Sequence, residues 1–138
     1  MILPVKLDKG AAKPTRANPL DAGLDLYAME EGTVPPRGTA HFDTGVHMSI
    51  PFGYCGMLFS RSGLYRNFGV SSTGLVDAGY TGSIGVTLVN NSDTPYTVHK
   101  GDRISQIAVV PCVTAGVVIV DEIDVGERGS KGFGSSGR

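Results

Sequence analysis

The fold is decided by a pattern seen most clearly at residues 103–112, which read Arg-Ile-Ser-Gln-Ile-Ala-Val-Val-Pro-Cys. Successive side chains of a β-strand point to opposite faces of the sheet. One face would therefore carry Ile104, Gln106, Ala108 and Val110, and the other Ser105, Ile107 and Val109. Branched side chains in such partial alternation favour a half-buried strand.

Seven further segments of similar composition lie on either side of this one. They are rich in Val, Ile, Thr, Phe or Tyr and cover residues 2–7, 24–29, 39–50, 54–60, 83–90, 96–99 and 116–121. The 20 glycines and 8 prolines punctuate the chain between them, as in β-sandwiches and barrels. The best helix candidate is one or two turns after Ser62. The sequence thus predicts an all-β, jelly-roll-like fold with at most one short helix.

Length and charge restrict the function. The 138 residues suit one domain, predicted at residues 1–125, followed by a mobile tail at 126–138. A formal charge of −1 gives no positive field for nucleic acid. No apolar run approaches the roughly 20 residues of a membrane helix, and no signal peptide is visible. Cys55 and Cys112 have no metal-type spacing and are expected to be free thiols, so we expect a soluble, intracellular protein, in the cytoplasm, the nucleus or a host cell.

The tail has a composition that cannot build a core. Residues 126–138 contain five glycines, three basic residues and Phe133. The Gly-x-Gly-x-x-Gly match at 132–137 cannot be a dinucleotide fingerprint, because no helix follows it. The tail is either a disordered end or a lid, in which glycine N–H groups, Ser hydroxyls and Arg128 grip phosphate while Phe133 covers a base.

Two other segments carry candidate chemistry. At 60–64, Ser-Arg-Ser-Gly-Leu leads from a strand into the possible helix, which could present N–H groups to an anion, or Ser62 could simply cap that helix. At 74–82, an apolar run meets a turn with Asp77 and Tyr80; Asp77 could be a catalytic base or an ordinary turn residue. Asp25 lies among apolar neighbours, so it should meet a cation, a metal-bound water or backbone donors. Arg103 and Ser105 would share a strand face opposite Gln106.

Taken in order, five segments resemble the five motifs of the trimeric dUTPase family. They are residues 22–26, 61–64, 74–82, 103–106 and 128–137, and the resemblance runs from about residue 21 to the C-terminus. Each motif alone is weak, but five in order are specific. The resemblance implies a jelly-roll homotrimer with active sites between subunits, in which each chain lends its tail to a neighbour.

The same resemblance implies roles for particular residues. The activity would be Mg²⁺-assisted hydrolysis of dUTP to dUMP and pyrophosphate, which keeps uracil out of DNA and supplies dUMP for dTMP synthesis. Asp77 would activate the attacking water, Tyr80 would pack on the deoxyribose, and Asp25 would reach the metal through water. Substrate-binding positions would be Arg61, Ser62, Gly63 and Gln106 for the α- and β-phosphates, Gly74, Leu75, Val76 and Gly85 for uracil, and Arg128, Phe133, Gly134, Ser135 and Ser136 in the lid. Arg103 would tie down a neighbouring carboxylate at the subunit interface.

Some positions depart from the family pattern. Gly79 stands where the family usually has a second acid, and Ser83 where it often has Glu or Gln. The stretch before the third motif looks short, so Ser71, Ser72 or Thr73 would have to replace an Asn that contacts uracil in some members.

Three rival functions are open to a chain of this pattern. A dCTP deaminase would share the fold, but it needs a Glu near the end of the hairpin strand, where Val89 stands, and extra length. A catalytically dead binding module should have lost Asp77 or Phe133. A structural jelly roll would tolerate deletion of residues 126–138.

Overall fold

The computed structural model describes residues 1–137, in which the chain forms ten strands and one helix. The strands are β1 (Val5–Leu7), β2 (Leu24–Tyr27), β3 (Gly32–Val34), β4 (Thr39–Asp43), β5 (Val46–Met48), β6 (Tyr54–Phe59), β7 (Val70–Val76), β8 (Gly85–Asn90), β9 (Tyr96–Val98) and β10 (Arg103–Pro111). Helix α1 (Ser62–Phe68) lies between β6 and β7, where the sequence predicts it. The all-β fold class is confirmed.

The strands pair antiparallel in three sheets. The largest has the order β2-β10-β6-β7-β8-β4, and two small sheets pair β1 with β5 and β3 with β9. One core joins them, and its most deeply buried side chains come from all three sheets: Leu26, Val34, Val46, Val70, Val86, Leu88, Val98, Ile104 and Ile107. The sheets therefore curl around a shared apolar interior, as in a jelly roll.

The structure differs from the sequence prediction in four segments, one of which is the short strand β3, which was not predicted. The segment at 39–50 is two strands, because the chain turns at Gly45 with φ of 64°. The predicted strand at 116–121 is absent; Val117 and Ile119 are each 94% exposed, with no strand partner. Strand β7 was not predicted as a strand, because its first four residues, Val-Ser-Ser-Thr, lack an apolar run.

Strand β10 corrects one orientation inferred from the sequence. Arg103 and Ser105 were expected on the same face, but Ser105 is fully buried and Arg103 is exposed. A register shift between these two residues in the pairing with β2 rotates the chain at this point, as a β-bulge does. Since β10 lies between β2 and β6, its polar residues are not edge residues.

The remaining part of the chain contains no strand. After β10 ends at Pro111, Cys112 N donates to Gly53 O over 2.8 Å, and the backbone hydrogen bonds of residues 113–137 are those of local turns; residue 138 of the predicted lid lies outside the described residues. Cys55 and Cys112 are both free, as expected, and burial raises the pKa of the Cys55 thiol. No helix in the described part of the chain is long and apolar enough to cross a membrane.

Candidate functional site

Most of the predicted site residues line three clefts that have no lining residue in common; Gly63, Phe133 and Gly134 line none of them. The arginine cleft, of about 350 Å³, is lined by Ala17, Asp21, Ala22, Gly23, Asp25, Arg61, Ser62, Arg103 and Gln106. The hairpin cleft, of about 340 Å³, is lined by Leu58, Thr73, Gly74, Leu75, Val76, Asp77, Tyr80, Ile84, Gly85 and Thr87. The tail cleft, of about 420 Å³, is lined by Glu127, Arg128, Lys131, Ser135 and Ser136.

Asp25 is the centre of the charge network in the arginine cleft. Its side chain is only 14% exposed, and Arg61 Nε donates to its Oδ1 over 3.0 Å. Arg103 Nη1 lies 3.5 Å from its Oδ2. A carboxylate this buried is costly unless it is paired, so the two guanidinium groups meet the expectation of a cation. The carboxylate that Arg103 contacts therefore belongs to its own chain.

Ser62 is not the cap of helix α1. The cap residue is Arg61, with an extended backbone and no side-chain capping bond, and the helix begins at Ser62. The reading in which Ser62 merely serves the helix is thus wrong. Backbone N–H groups in the first turn of a helix have no partner within the helix. No atom lies within 4 Å of the position a Cβ of Gly63 would take, so this turn is open to a ligand.

Gln106 supports the loop that carries Arg61. Its Nε2 donates to the carbonyl of Ser60 over 3.0 Å, while its amide oxygen lies against Gly23. A Cβ on Gly23 would collide with the Gln106 side chain, which explains why glycine suits this position. The amide thus joins the end of β6 to the segment before β2.

The hairpin cleft is built on a tight turn between β7 and β8. Tyr80 N donates to Asp77 O over 3.2 Å, and Gly79 has a φ of 83°. A type II turn requires a positive φ at its third residue, so Gly79, where the family pattern has an acid, fits this geometry. The exposed Asp77 carboxylate accepts no hydrogen bond from residues 1–137, which leaves both oxygens open to water.

Tyr80 is held in place by its own turn. Its hydroxyl donates to the carbonyl of Ser83 over 3.1 Å, and its ring lies so close to Gly82 that a Cβ there would overlap the ring. The ring is 48% exposed and presents a flat face at the mouth of the cleft.

The structure distinguishes the three hydroxyls before Gly74. The Ser72 hydroxyl is buried against Ser105 at 2.9 Å, and the Ser71 hydroxyl lies 3.1 Å from the Asn91 amide. Thr73 alone of the three lines the hairpin cleft. It is therefore the candidate to contact a base there.

The tail residues gather in one place but away from the other clefts. Arg128 donates to the carbonyls of Lys131 and Gly132 over 2.8 and 3.1 Å, which bends the segment around the tail cleft. Phe133 is fully exposed. Within residues 1–137, the charged side chain of Arg128 and the aromatic ring of Phe133 therefore lie outside the arginine and hairpin clefts.

Asp77 of the hairpin cleft and Arg61 of the arginine cleft lie at opposite ends of the β6–β7 pair. Gly56 pairs with Val76, so Asp77 lies opposite Cys55. Arg61 follows Cys55 by six residues, which places it about 20 Å away at roughly 3.4 Å per residue of strand. One phosphorus atom cannot contact both side chains of the same chain.

The structure offers one modest position for a metal. Residues 1–137 contain no cluster of three His, Cys, Asp or Glu side chains that could hold an ion directly. Asp25 and Asp21 line the arginine cleft, and Mg²⁺ commonly keeps several waters while it contacts one or two carboxylates. These residues fit a hydrated ion brought in by a phosphate ligand.

Comparison with known proteins agrees with the fold and the motifs. The family model for dUTPase matches residues 9–137. Deoxyuridine 5'-triphosphate nucleotidohydrolase of Debaryomyces hansenii is 38% identical over 94% of this chain and 83% of its own length. The Arabidopsis thaliana enzyme of the same name is 41% identical, over 96% of this chain and 80% of its own.

Two solved phage structures are also similar. The dUTPase of Staphylococcus bacteriophage 80alpha with dUPNHPP has a TM-score of 0.92 and 36% identity, with 99% of each chain covered. A variant of the dUTPase of phage phi11, described as showing the coordination of a structural Mg(II) ion, has a TM-score of 0.81 and 30% identity, over 88% of this chain and 98% of that one. The chain is thus a nucleotide hydrolase of jelly-roll type. It belongs to the dUTPase family, and its activity is the hydrolysis of dUTP.

Some residues around the site were missed by the sequence reasoning. Asp43 and His47 contact the turn between β7 and β8 at residues 40 and 34 positions further along the chain. No local motif marks them, because their positions depend on the pairing of β4 with β8 and of β5 with β1.

Proposed function

We propose that the chain hydrolyses dUTP to dUMP and pyrophosphate at sites assembled from neighbouring copies of itself in a homotrimer. The observation that carries this proposal is the separation of Asp77 from Arg61 within one chain. Asp77 and Arg61 would both act at the α-phosphate, but they are about 20 Å apart along the sheet at a usual strand rise. A second copy brings one chain's hairpin cleft to another chain's arginine cleft.

The exposed segment after β10 supports assembly of this kind. Val113, Val117, Ile119, Ile123 and Val125 are each at least 82% exposed. An apolar run of this length is unfavourable in water and marks a surface that another chain covers. It also separates the tail from the strands, so each chain can lend its tail to a neighbouring site.

Asp77 acts as the general base. Water donates its proton to the Asp77 carboxylate, its oxygen forms a bond to the α-phosphorus, and the bond from that phosphorus to the bridging oxygen breaks to release pyrophosphate. The open carboxylate at the rigid turn suits this role, because a base must be held within hydrogen-bond reach of the water. Phosphoryl chemistry otherwise depends on positioning and charge stabilisation.

The arginine cleft and the tail bind the phosphates. Arg61, Ser62, Gly63 and Gln106 hold the α- and β-phosphates; the pairing of Arg61 Nε with Asp25 orients the guanidinium and leaves its other N–H groups for the ligand. Arg128, Ser135 and Ser136 take the γ-phosphate, with Gly134 in a left-handed conformation at φ of 78° beside Phe133.

The hairpin cleft binds the nucleoside. Tyr80 packs on the deoxyribose and leaves no room for a 2′-hydroxyl, while the backbone of Gly74, Leu75, Val76 and Gly85 hydrogen-bonds uracil. Thr73 adds a hydroxyl to that set. Phe133 from a neighbouring tail stacks over the base and excludes water.

The arginine cleft would hold Mg²⁺ through water, with Asp25 accepting hydrogen bonds from the metal-bound waters. The ion supplies charge neutralisation on the triphosphate. In a cell this reaction keeps uracil out of DNA and supplies dUMP for dTMP synthesis. We also propose that the protein acts inside the cell, as the sequence leads us to expect.

The first test is pyrophosphate release from dUTP, UTP, dTTP and dCTP by the wild-type chain, with ammonium release from dCTP measured alongside. We expect pyrophosphate from dUTP in clear preference to the others. The Asp77→Asn variant should lose about a hundred- to ten-thousand-fold in kcat, as expected for removal of a general base. An Asp77→Asn variant as active as the wild type would contradict the role of Asp77, and ammonium release would support the deaminase.

A mixing experiment tests the shared site. Asp77→Asn and Arg61→Gln subunits, each inactive alone and each folded by circular dichroism, are unfolded together and refolded as a mixture. If hairpin and arginine cleft come from different chains, roughly a quarter of the sites regain both residues in a random mixture of closed oligomers. Activity that stays at the level of the separate variants would show that each site belongs to one chain.

A further inference from the structure

The turn that carries Asp77 and Tyr80 has little support of its own. We define it as the recognition turn, residues 77–84, which contains no strand and has one internal backbone bond, from Tyr80 N to Asp77 O. It is largely exposed, with only Ile84 buried. A short exposed turn depends on contacts from other elements to keep one conformation.

The first such contact comes from Asp43 at the end of β4. The Ser83 hydroxyl donates to Asp43 Oδ1, and the same oxygen accepts from Gly45 N over 2.9 Å. Ser83 in turn accepts the Tyr80 hydroxyl at its carbonyl. A chain of hydrogen bonds therefore runs from a carboxylate on the body to the aromatic ring of the turn.

The second contact comes from His47 on β5. Its Nδ1 lies 2.7 Å from the carbonyl of Thr81, and its Nε2 lies 3.0 Å from the carboxylate of Asp8. Both partners can only accept, so both ring nitrogens must donate, which requires the protonated imidazolium. The side chain is 21% exposed, so this pair is partly shielded from water.

The segment that carries both side chains is firmly attached to the body. Thr44 is fully buried, and its hydroxyl donates to the carbonyl of Ile84 over 2.7 Å. Ile84 N donates to Val46 O over 2.8 Å. Residues 43–47 thus form a rigid frame at the end of the turn, from which Asp43 and His47 reach its exposed part.

We propose that Asp43 and His47 are positioning residues for hydrolysis, which hold the recognition turn so that Asp77 and Tyr80 face the substrate in one arrangement. This inference rests on the roles proposed above for Asp77 and Tyr80. It concerns their contacts to Ser83 and Thr81; the five motif segments contain neither Asp43 nor His47. Neither residue lines the hairpin cleft.

The two contacts respond to pH in opposite directions. Hydrogen bonding to the Thr81 carbonyl, and then to Asp8, raises the pKa of His47 above 6.5, against burial and the charge of Lys6 on β1. Both of its hydrogen bonds are complete below pH 6.5; as pH rises through the raised pKa, the neutral ring keeps a single N–H and one of the two is lost. The Ser83 hydroxyl, then the Gly45 amide, lowers the pKa of Asp43 below 3.8, with His41 also favouring its charge. That contact is present above pH 3.8 and is lost only in stronger acid.

The test compares His47→Leu, His47→Gln and the matched control His99→Leu, whose histidine lies beside Glu31 and lines none of the three clefts. For His47→Leu we expect kcat/KM for dUTP to fall roughly tenfold, the loss of one charge-assisted hydrogen bond, with weaker preference for dUTP over UTP. His47→Gln keeps a donor for the Thr81 carbonyl and should recover part of the lost kcat/KM. Because glutamine does not titrate, the fall in kcat/KM at alkaline pH should be absent. His99→Leu should match the wild type.

Asp8→Asn keeps the His47 ring and removes only its carboxylate partner. We expect wild-type kcat/KM below pH 6.5 and an alkaline limb that moves to lower pH, because the imidazolium is less stabilised. If His47→Leu does not fold, the pH profile of Asp8→Asn tests the inference in its place. The inference is overturned if Asp8→Asn leaves the limb unmoved, or if a folded His47→Leu keeps the wild-type rate, dUTP preference and pH profile. Failure of the proposed function would instead appear as no pyrophosphate release by the wild-type chain.

Discussion

Single glycines shape the hairpin cleft and its turn. Gly79 provides the positive φ that a type II turn needs, and Gly82 leaves the space in which the Tyr80 ring lies. The first effect concerns the backbone, and the second concerns the close approach of an aromatic ring. Both are properties of one residue, so each can be tested by adding a single methyl group.

At Gly82 the added methyl group should alter specificity. A Cβ at this position overlaps the Tyr80 ring, so Gly82→Ala must displace it. We expect the ratio of kcat/KM for dUTP over UTP to fall about tenfold, because the ring no longer blocks a 2′-hydroxyl. Steady-state pyrophosphate release with both nucleotides measures the ratio.

Gly116→Ala adds the same methyl group in open space, outside all three clefts, and serves as the control. An unchanged ratio in Gly82→Ala, with an unchanged melting temperature, would contradict the placement of Tyr80 against the sugar.

At the scale of elements, strands β7 and β10 are joined across β6 by a buried polar contact. The Ser72 and Ser105 hydroxyls lie 2.9 Å apart, and Ser105 donates to Phe59 O over 3.0 Å. The Ser60 hydroxyl, at the end of β6, receives the backbone N–H of Ser72 over 2.9 Å. This network lies behind the loop that carries Arg61, so it couples strand packing to the arginine cleft.

Ser105→Ala should therefore destabilise the fold. It leaves the buried Ser72 hydroxyl and the Phe59 carbonyl without this partner, at a cost of about 1–3 kcal/mol in the free energy of unfolding. Urea denaturation followed by circular dichroism measures the change.

The double variant Ser72→Ala, Ser105→Ala removes the stranded hydroxyl and should be less destabilised than the sum of the single variants. Strictly additive effects would show that the two hydroxyls do not interact.

At the scale of the molecule, the proposed function makes assembly part of catalysis. One chain contains a hairpin cleft, an arginine cleft and a tail cleft, which have no lining residue in common. In an oligomer with closed symmetry, each rotation repeats the same contact between neighbouring chains, so several identical sites would be completed. The proposed trimer of the 14.4 kDa chain would carry one such site at each junction.

Deletion of residues 126–138 tests the tail at this scale. We expect kcat/KM for dUTP to fall about a hundredfold or more, because the γ-phosphate loses its donors and the site its cover. Sedimentation should still show the trimer, since the apolar segment before the tail is retained.

The Phe133→Ala variant separates the two contributions, because it removes the aromatic cover and keeps Arg128 and both serines. Full activity of the shortened chain would contradict the lid and favour a tail without function.

Local features of the site could be predicted from the chain alone. The one helix, most strands, the turn at Asp77 and the order of the motifs depend on neighbouring residues, so alternation and turn chemistry reveal them. Strand β7 was not predicted, because a Ser-Ser-Thr run is typical of a loop; pairing with β6 and β8 makes it a strand. The burial of Ser105 on a different face from Arg103 was not predicted, because the bulge between them interrupts the alternation of faces along β10.

Residue order and composition determined the fold class, the motifs and the presence of a carboxylate at the turn, cationic groups and a glycine-rich end. Tertiary packing determined that Asp25 lies between two arginines, that Asp43 and His47 hold the recognition turn, and that the clefts stand apart. The physical reason is that these contacts join strands far apart in the chain. Their geometry comes from sheet register and closure around a common core, which no local pattern encodes.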